Sequence, residues 1–369
     1  MRTKLSFIVA LLVLSANIAL AQFEIPKDFT PLFNGKDFTG WNIEPDLGAW
    51  HVEDGRIICK GDPKEPYLIL TNKEYENFEL YADFKMSENC NSGILLSQLE
   101  RGWARESYVG FEIQVSDDAG KATRLNSSCG AVYNALIPMA NPVKPNGHWN
   151  RYYIIMDWPV LKVWLNGTVV QDVNLEEHDE TRFKLRKGYI GLQNHGKYVE
   201  YKNVCIKELP SKEKVTELFN GKDLAGWVKL GNANWSVSNG EIVATGGDGW
   251  LVSEKELENY ELRVFAGKYE NGGTSGIYYN WNGEKDPGFK TEFLDWGPNN
   301  KMDKKYLLTQ IINSGKESSV RNNGVLIQSN KFHNKLKKGK VAIFHSGNDG
   351  LVKIPKISMK ELILTEKAK

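Results

Sequence analysis

The sequence predicts an all-β protein built as two tandem antiparallel β-sandwiches. Three observations predict this class: apolar and polar residues alternate at a period of two, turn motifs recur along the chain, and the second half repeats the motifs of the first. Alternation at a period of two is typical of half-buried strands, because successive side chains point to opposite faces of a sheet. Long helical periods do not occur, so a sandwich accounts for the pattern best.

The clearest strand pattern covers residues 78–86, where apolar residues occupy every second position. A hairpin is predicted farther along the chain, where LKVWLNGTVV places Asn166-Gly167 between two apolar runs. Asn-Gly between such runs is the strongest short hairpin motif, because both residues tolerate the positive φ of a tight turn.

The chain contains an internal duplication. LFNGKDFTGW at 32–41 recurs as LFNGKDLAGW at 218–227, with eight of ten positions identical, and KEYENFEL at 73–80 recurs as KELENYEL at 255–262. A spacing of about 180 residues is too long for a solenoid repeat, so each copy is a whole domain. The predicted organisation is a signal peptide at 1–21, a first domain at 22–209, a linker at 210–216 and a divergent second domain at 217–364.

The first residues resemble a secretory signal peptide. A basic start precedes an apolar run at 7–14, and Ala19-Leu20-Ala21 supplies the small residues expected before a cut ahead of Gln22. The apolar run is too short to span a membrane, and no cysteine follows the cut site. We therefore expect an exported protein, periplasmic or extracellular, with no membrane span and no lipid anchor.

Composition narrows the functional classes. Lys and Arg number 47 against 46 Asp and Glu, so the near-zero net charge argues against a nucleic-acid binder. A hydrophobic share of 41% and a charged share of 25% are those of a folded protein rather than a disordered one. The 34 Gly, 11 Trp and 15 Tyr indicate many turns and aromatic-lined surfaces, which favours a protein that handles sugars.

Four cysteines all lie in the first half of the chain, at Cys59, Cys90, Cys129 and Cys205. Export permits disulfides, and the loop-like sequences CNSG and CGAVY favour a Cys90–Cys129 bridge. Free buried thiols are the alternative. Metal binding is disfavoured because no CxxC motif or Cys/His cluster occurs.

Two predicted strands each carry a pair of polar side chains on one face. Glu112 and Gln114 alternate with apolar residues and lie about 7 Å apart along their strand. Gln193 and His195 are arranged in the same way within GYIGLQNHG. These faces could form a concave ligand groove, or they could be an ordinary solvated outer face.

Glycines favour the groove, because Gly110 and Gly191 fall on the polar faces and would leave room for a ligand. Further candidate sugar ligands are less specific, since each suits a turn or a core position equally well: Asn91 in an expected Asn-Ser-Gly turn, Trp149, Trp103 and Tyr133. Asp117-Asp118 is a weak candidate for a structural Ca²⁺ site, with a solvated turn as its alternative.

The first copy resembles a known family in the order of its motifs. Over residues 23–209 these motifs are LFNGKDFTGW, DGRIICKG, LILTNKEYENFEL, NSGILL, GFEIQV, HWNRY, WLNG, GLQNHG and NVCIKEL. They resemble the 3-keto-disaccharide hydrolase domain, also described as a 3-keto-glucoside lyase/hydratase, which has a concanavalin-like jelly-roll fold. The resemblance implies a 3-keto-glycoside substrate that a separate glucoside 3-dehydrogenase has already oxidised at C3.

The implied reaction needs a base for the proton at C2, donors for the enolate oxygen and an acid for the leaving oxygen. His195 suits the base or the acid, because histidine titrates near pH 6.5. Glu112 is the alternative base, or the group that orients His195. Gln114, Gln193 and Asn91 are candidate ligands of substrate hydroxyl and carbonyl groups. No cofactor is implied with certainty, and a divalent metal is left open.

The second copy departs from this pattern. Aligning GFKTEFLD with GFEIQVSD places Lys290 where the first copy has Glu112, and Glu292 where it has Gln114. GLQNHG becomes AIFHSG, which displaces His345 by one position. A Lys290, Glu292 and His345 site is one interpretation, but an architectural or sugar-binding role is favoured.

Two other functions fit the same fold. A conventional glycoside hydrolase needs two carboxylates about 5–5.5 Å apart in its retaining form. Strict alternation puts Glu112 and Asp117 on opposite faces, so this alternative ranks second. A non-catalytic carbohydrate-binding protein is the third interpretation.

Overall fold

The computed structural model describes residues 25–42, 49–61, 67–98, 109–212, 214–269, 273–285, 287–293, 307–322, 324–334, 336, 338–347 and 350–362. No helix in these ranges is long and apolar enough to cross a membrane.

Among the described residues, thirteen strands and one short 3-10 helix, at Leu175–Glu177, form the first domain. The strands are β1 (Thr30–Pro31), β2 (Trp41–Asn42), β3 (Trp50–Glu53), β4 (Arg56–Cys59), β5 (Tyr67–Tyr75), β6 (Asn77–Met86), β7 (Asn91–Gln98), β8 (Phe111–Ser116), β9 (Asn150–Asp157), β10 (Val160–Leu165), β11 (Thr168–Asn174), β12 (Gly188–Asn194) and β13 (Val199–Leu209).

These strands build two antiparallel sheets that face each other. The larger sheet has the order β11-β10-β9-β6-β13-β4-β3, with β1 added beside β13, and the smaller has the order β2-β5-β12-β7-β8. Apolar residues from the inner faces of both sheets form one continuous core, in which Phe78, Phe84, Phe111 and Tyr152 are among the largest fully buried side chains.

In the described part of the second domain there are thirteen further strands. They are β14 (Val215–Glu217), β15 (Trp227–Gly231), β16 (Asn234–Ser238), β17 (Glu241–Thr245), β18 (Gly249–Ser253), β19 (Tyr260–Tyr269), β20 (Thr274–Trp281), β21 (Phe289–Glu292), β22 (Leu307–Asn313), β23 (Glu317–Asn322), β24 (Val325–Lys331), β25 (Lys340–Ser346) and β26 (Leu351–Glu361).

The two domains have the same topology. In the second domain the sheets run β16-β17-β26-β19-β22-β23-β24, with β14 beside β26, and β15-β18-β25-β20-β21. Each strand therefore has a counterpart at the same place in the first domain, and a separate apolar core fills the second sandwich. The predicted all-β class and the tandem sandwiches are confirmed.

The predicted turn at Asn166-Gly167 joins β10 to β11, and both residues have positive φ, at 52° and 83°. The prediction of a turn at Asn91-Ser92-Gly93 is wrong, since these residues open strand β7. Pairing with β12 and β8 on either side holds them in the sheet and overrides the local turn preference.

The expected Cys90–Cys129 disulfide does not form. All four cysteines lie within the described ranges and each is a free thiol. Burial raises the pKa of both the Cys90 and the Cys129 thiol to about 12, and the Cys129 sulfur lies 3.2 Å from the hydroxyl of Tyr152. These thiols are packing groups in the core of the first sandwich.

The two domains contact each other through a small apolar cluster. Val109 and Leu185 of the first domain pack against Phe265 and Leu308 on the larger sheet of the second. Next to this cluster, the guanidinium of Arg321 lies 3.2 Å from the ring centroid of Phe183. The loop that carries Phe183 and Leu185 is therefore held between the two domains.

Candidate functional site

The outer face of the smaller sheet in the first domain carries a group of buried polar side chains. Glu112 and Gln114 project from β8 and Gln193 from β12, and these residues are only 4%, 3% and 7% exposed. The core side of these strands and of β7 between them is apolar, with Ile113, Leu192 and Ile94 fully buried. The alternative of a freely solvated outer face is therefore excluded.

Gly93 determines where the carboxylate of Glu112 lies. A Cβ atom built on Gly93 would lie 2.5 Å from Glu112 Oε1, 2.8 Å from its Cγ and 3.0 Å from its Cδ. The carboxylate thus rests directly over the glycine backbone, where no other residue type would leave space. In the strand ladders, Gly93 lies opposite Gln114 on one side and opposite Gln193 on the other.

The amide of Gln114 links Glu112 to Asn91. With its NH₂ group towards Glu112, Gln114 donates to Glu112 Oε1 at 2.9 Å and to the carbonyl of Ser92 at 3.2 Å. With the amide reversed, its NH₂ group donates to Asn91 Oδ1 at 2.9 Å. The first orientation suits an ionised Glu112, and the second suits a protonated one that donates a hydrogen bond to the amide oxygen. Gln114 can therefore follow the protonation state of the carboxyl group.

The amide of Gln193 holds the ring of His195. Gln193 Nε2 donates to His195 Nε2 at 2.5 Å, so in this arrangement the proton of the neutral imidazole is on Nδ1. The backbone N–H of His195 donates to the carbonyl of Asn91 at 2.9 Å. Gln193 Oε1 is buried and has no hydrogen-bond partner among the described residues. His195 itself is exposed, at the rim of the buried polar group.

Lys184 is a site residue that the sequence analysis missed. Its Nζ donates at 2.8 Å to the carbonyl of Gly110, the residue immediately before strand β8, which carries Glu112. Burial lowers the pKa of Lys184 to about 8, and the charge of Glu112 opposes this shift. Lys184 has no strand periodicity around it, so only the FKLRKG stretch just before β12 could have drawn attention to it.

Of the three predicted aromatic ligands, one borders the polar group. Tyr133 follows Val132, which bridges to Ile113, and its backbone N–H donates to the carbonyl of Glu112 at 2.9 Å, so it borders the site at the edge of β8. Trp149 immediately precedes β9 of the other sheet, and the ammonium groups of Lys85 and Lys202 are 5.1 Å and 4.1 Å from its ring centroid. Trp103 lies outside the described residues.

The prediction that Gly110 and Gly191 leave room for a ligand is wrong. A Cβ on Gly191 would meet Leu70 Cδ2 at 2.7 Å, and one on Gly110 would meet the side chain of Gln98 at 2.5 Å. The space beside both glycines is therefore filled by the protein itself and is not left for a ligand. The glycine that shapes the polar group is Gly93.

The two acidic residues after β8 act as turn acceptors. Asp117 Oδ2 accepts from the backbone N–H of Asn89 at 2.8 Å, and Asp118 Oδ2 accepts from that of Cys129 at 2.6 Å. Asp118 also pairs with Lys121 at 3.1 Å. Within the described ranges, no group of His, Cys, Asp and Glu is arranged to hold a metal ion.

The second domain places different side chains at the corresponding positions. Gly276 lies opposite Glu292 and Phe344, as Gly93 lies opposite Gln114 and Gln193, and Lys290 takes the position of Glu112. Lys290 and Glu292 form an exposed ion pair at 2.7 Å.

His345 does not share the face of Lys290 and Glu292. It corresponds to Asn194, is 1% exposed, and its Nδ1 is hydrogen-bonded to Ser275 Oγ at 2.8 Å. The one-residue displacement in AIFHSG thus turns this histidine away from the outer face, because alternate residues of a strand point to opposite sides.

Comparisons with known proteins extend over both domains. A model of the 3-keto-alpha-glucoside-1,2-lyase-like domain matches residues 28–207 and again residues 214–339. A 3-keto-disaccharide hydrolase of Bacteroides thetaiotaomicron is 27% identical over 244 residues, which cover 50% of this chain and 81% of that protein. Two solved structures of candidate glycosyl hydrolases from Parabacteroides distasonis are 29% and 28% identical, with TM-scores of 0.44 and 0.42. Each covers 49% of this chain, and the matches span 94% and 99% of those two chains.

Proposed function

The chain belongs to the 3-keto-alpha-glucoside-1,2-lyase-like domain family, and on this premise we propose that its first domain cleaves 3-keto-glycosides at the buried polar group around Glu112. The similar Bacteroides thetaiotaomicron protein is named a 3-keto-disaccharide hydrolase, which supports a carbohydrate substrate oxidised at C3. A separate oxidoreductase has to supply the C3 ketone, since the reaction itself neither oxidises nor reduces the sugar.

The proposed reaction proceeds by elimination. The C3 ketone acidifies the hydrogen at C2, so a base removes that proton and the electron pair forms an enolate with its charge on O3. The enolate then reforms the C3 ketone, a double bond forms between C1 and C2, and the C1–O bond breaks. The leaving oxygen takes a proton from an acid. Addition of water, with OH at C1 and H at C2, completes a net hydrolysis.

Glu112 is the proposed base. Its carboxylate lies over Gly93 at the floor of the polar group, away from bulk water, where a carboxylate is less well hydrated and removes a proton more readily. Gln114 supports both states of the carboxyl group, because its amide can donate to the carboxylate or accept from the carboxylic acid.

His195 is the proposed acid. As the imidazolium it carries a proton on each ring nitrogen; with the Gln193 amide turned so that Oε1 accepts from Nε2–H, the proton on Nδ1 can be given to the leaving oxygen, which leaves a neutral imidazole. Because His195 is at the exposed rim, the departing aglycone leaves towards solvent while the sugar ring remains over Glu112. General acid catalysis of this kind contributes about 10²–10⁴-fold to a rate.

Lys184 is the proposed electrostatic partner of the developing enolate. Its buried ammonium near Glu112 supplies a positive charge in a region of low dielectric, where a charge stabilises an oxyanion more strongly than in water. Asn91 and Gln193 are the proposed ligands of the sugar hydroxyl groups, since Gln193 Oε1 has no partner within the described part of the chain.

The observation that carries the proposal is the position of the Glu112 carboxylate over Gly93. Gly93 pairs across the sheet with Gln193, whose amide is hydrogen-bonded to the ring of His195. The test separates the two roles by following exchange of the C2 hydrogen in D₂O alongside cleavage. Glu112→Gln is expected to lose both, by about 10²–10⁴-fold. His195→Asn is expected to keep the exchange and to lose cleavage, most severely for poor leaving groups such as glucose.

A matched control is His51→Asn, because His51 lies on β3 in the other sheet and pairs with Glu53 at 3.8 Å. The substrates are 3-keto-glycosides and their unoxidised parents, with products identified by mass. Unchanged turnover in both Glu112→Gln and His195→Asn would remove these residues from the mechanism. Cleavage of the unoxidised parents alone would instead favour a conventional glycoside hydrolase.

A further inference from the structure

The second domain has a cavity on the outer face of its smaller sheet, at the place that corresponds to the Glu112 group of the first domain. The cavity has a volume of about 240 Å³. Its lining residues are Asp248, Gly249, Trp250, Thr274, Tyr278, Lys290, Phe344 and Ser346; His345 borders it as well, although its imidazole is hydrogen-bonded to Ser275 on the other side of the sheet. We propose that this cavity is a non-catalytic binding site for a neutral pyranose ring of an oligosaccharide.

Aromatic residues replace aliphatic and polar ones at this face. Trp250 pairs with Phe344 as Leu68 pairs with Gln193, so Trp250 takes the position of Leu68. Tyr278 takes the position of Leu95 by the same correspondence of strand pairs. In the first domain the four equivalent positions hold Leu68, Leu95, Gln193 and Glu112. In the second domain three of these positions carry aromatic rings, and the fourth carries Lys290.

The rings form a continuous platform, defined here as Trp250, Trp281, Tyr278 and Phe344. Neighbouring centroids are 5.7 Å apart for Trp250–Trp281, 5.5 Å for Tyr278–Trp281 and 5.3 Å for Tyr278–Phe344. Trp281 and Phe344 are buried at 4% and 6% exposure, whereas Trp250 and Tyr278 remain half-buried. Trp250 and Tyr278 therefore offer ring surface to a ligand, and the buried rings of Trp281 and Phe344 hold them in place.

The chemistry of the platform selects a sugar ring. An aromatic face carries partial negative charge, so it attracts the weakly positive C–H groups on the apolar side of a pyranose. Lys290 already lies over Phe344, at 4.5 Å from the ring centroid, which leaves Trp250 and Tyr278 to contact the ligand. A concave, mostly apolar surface with a few polar groups at its edge is typical of small-ligand sites.

The polar groups at the edge favour a neutral ligand. Lys290 and Glu292 are paired with each other, so their charges offset, and Asp248 Oδ1 accepts from the backbone N–H of Gly347 at 3.1 Å. Thr274 and Ser346 provide hydroxyl groups that can exchange hydrogen bonds with sugar hydroxyls. The base position of the first domain holds Lys290 here, so the site would bind a sugar without the carboxylate that the first domain offers.

The experiment measures binding of unoxidised methyl β-glucoside, cellobiose and maltose to the full-length chain that carries Glu112→Gln, by titration calorimetry. Trp250→Leu and Tyr278→Leu introduce the residues that the equivalent sheet of the first domain already accommodates, so the fold is expected to persist. Each is expected to weaken binding of at least one sugar by about tenfold, which is 1.4 kcal/mol. Trp164→Leu, on β10 of the first domain, is the control expected to leave binding unchanged.

Three results would overturn the proposal: no binding of any of the three sugars, binding unchanged in both variants, or equal weakening by the Trp164→Leu control. Circular dichroism of each variant shows whether it is folded. The probes are not oxidised at C3, so their binding does not depend on the elimination mechanism. A failure of the elimination proposal would therefore leave the binding proposal standing, and a failure to bind these sugars would leave the elimination proposal standing.

Discussion

The smaller sheets of the two domains have the same strand order and the same pairing, yet their outer faces carry different chemistry. At the centre of each face is a glycine, and the neighbour that lies against it differs. Gly93 leaves space for the carboxylate of Glu112, whereas a Cβ on Gly276 would lie 2.6 Å from the ring of Phe344. Strand pairing thus maintains a recess in both domains, and the side chains around the recess determine its chemistry. In the functions proposed above, they serve proton transfer in the first domain and stacking in the second.

The largest effect is expected for Gly93→Ala. The added Cβ would collide with the end of the Glu112 side chain and displace its carboxylate, because the three atoms nearest to it all belong to Glu112. Misplacement of a catalytic group by about 1 Å costs about 10²-fold in rate. The free energy of unfolding is expected to change by less than about 1 kcal/mol, since alanine suits a strand interior better than glycine. Kinetics and urea unfolding measure the two quantities, and full activity would contradict the placement of Glu112.

Gly276→Ala makes the equivalent change in the second domain and is expected to affect stability rather than activity. Here the added Cβ would meet the backbone carbonyl of Thr291 as well as the ring of Phe344, and the sheet cannot move aside for it. We expect a loss of about 1–3 kcal/mol in the free energy of unfolding, as for overpacked cores. Urea unfolding checks this value. Equal stability of the two alanine variants would show that the two recesses are not built as described.

An intermediate effect is expected for Lys184→Met. Because burial lowers the pKa of Lys184 from its ordinary 10.5 to about 8, the unfolded chain binds this proton more tightly than the folded chain between those values. The wild type therefore gains stability as pH rises from about 8 to 10.5, and this gain is missing in the variant. The slope difference is about 1.4 kcal/mol per pH unit at most. Urea unfolding at pH 7, 8.5 and 10 measures it.

Lys184→Met also tests the electrostatic role. If the ammonium stabilises the enolate, wild-type kcat falls as pH rises above about 8, and the variant has a kcat about tenfold lower below that pH without the same decline. Lys121→Met, at a lysine that is 62% exposed beside Asp118, is the control. Identical pH profiles for wild type and Lys184→Met would contradict the role.

The smallest effect is expected at the contact between the domains. Arg321→Ala removes a guanidinium that lies 3.2 Å from the centroid of Phe183 and is expected to cost about 1 kcal/mol of stability. Arg182→Ala is the matched control, since Arg182 lies 4.6 Å over the same ring from its own domain. Activity within about twofold of the wild type is expected. A tenfold loss in Arg321→Ala alone would mean that the second domain positions the neighbouring Lys184.

Local patterns predicted much of the fold and part of the candidate site. The alternation that places Glu112 and Gln114 on one face depends only on residues a few positions apart, and so does the Asn166-Gly167 hairpin. Asn91-Ser92-Gly93 shows the limit of this reasoning: its local preference is for a turn, but strand pairing on both sides makes it part of a sheet. Trp149 shows the same limit for function, because the strand that follows it, β9, belongs to the opposite sheet.

The duplication, the all-β class and the shared face of Glu112 and Gln114 were determined by the sequence alone, because these follow from short-range periodicity and from identity between the copies. Only the tertiary structure decided that the polar face is buried, that the Glu112 carboxylate lies over Gly93, and that Lys184 reaches the strand of Glu112. The physical reason is that these contacts join residues far apart in the chain. They depend on which strands pair, in which register, and on which loop packs across the sheet.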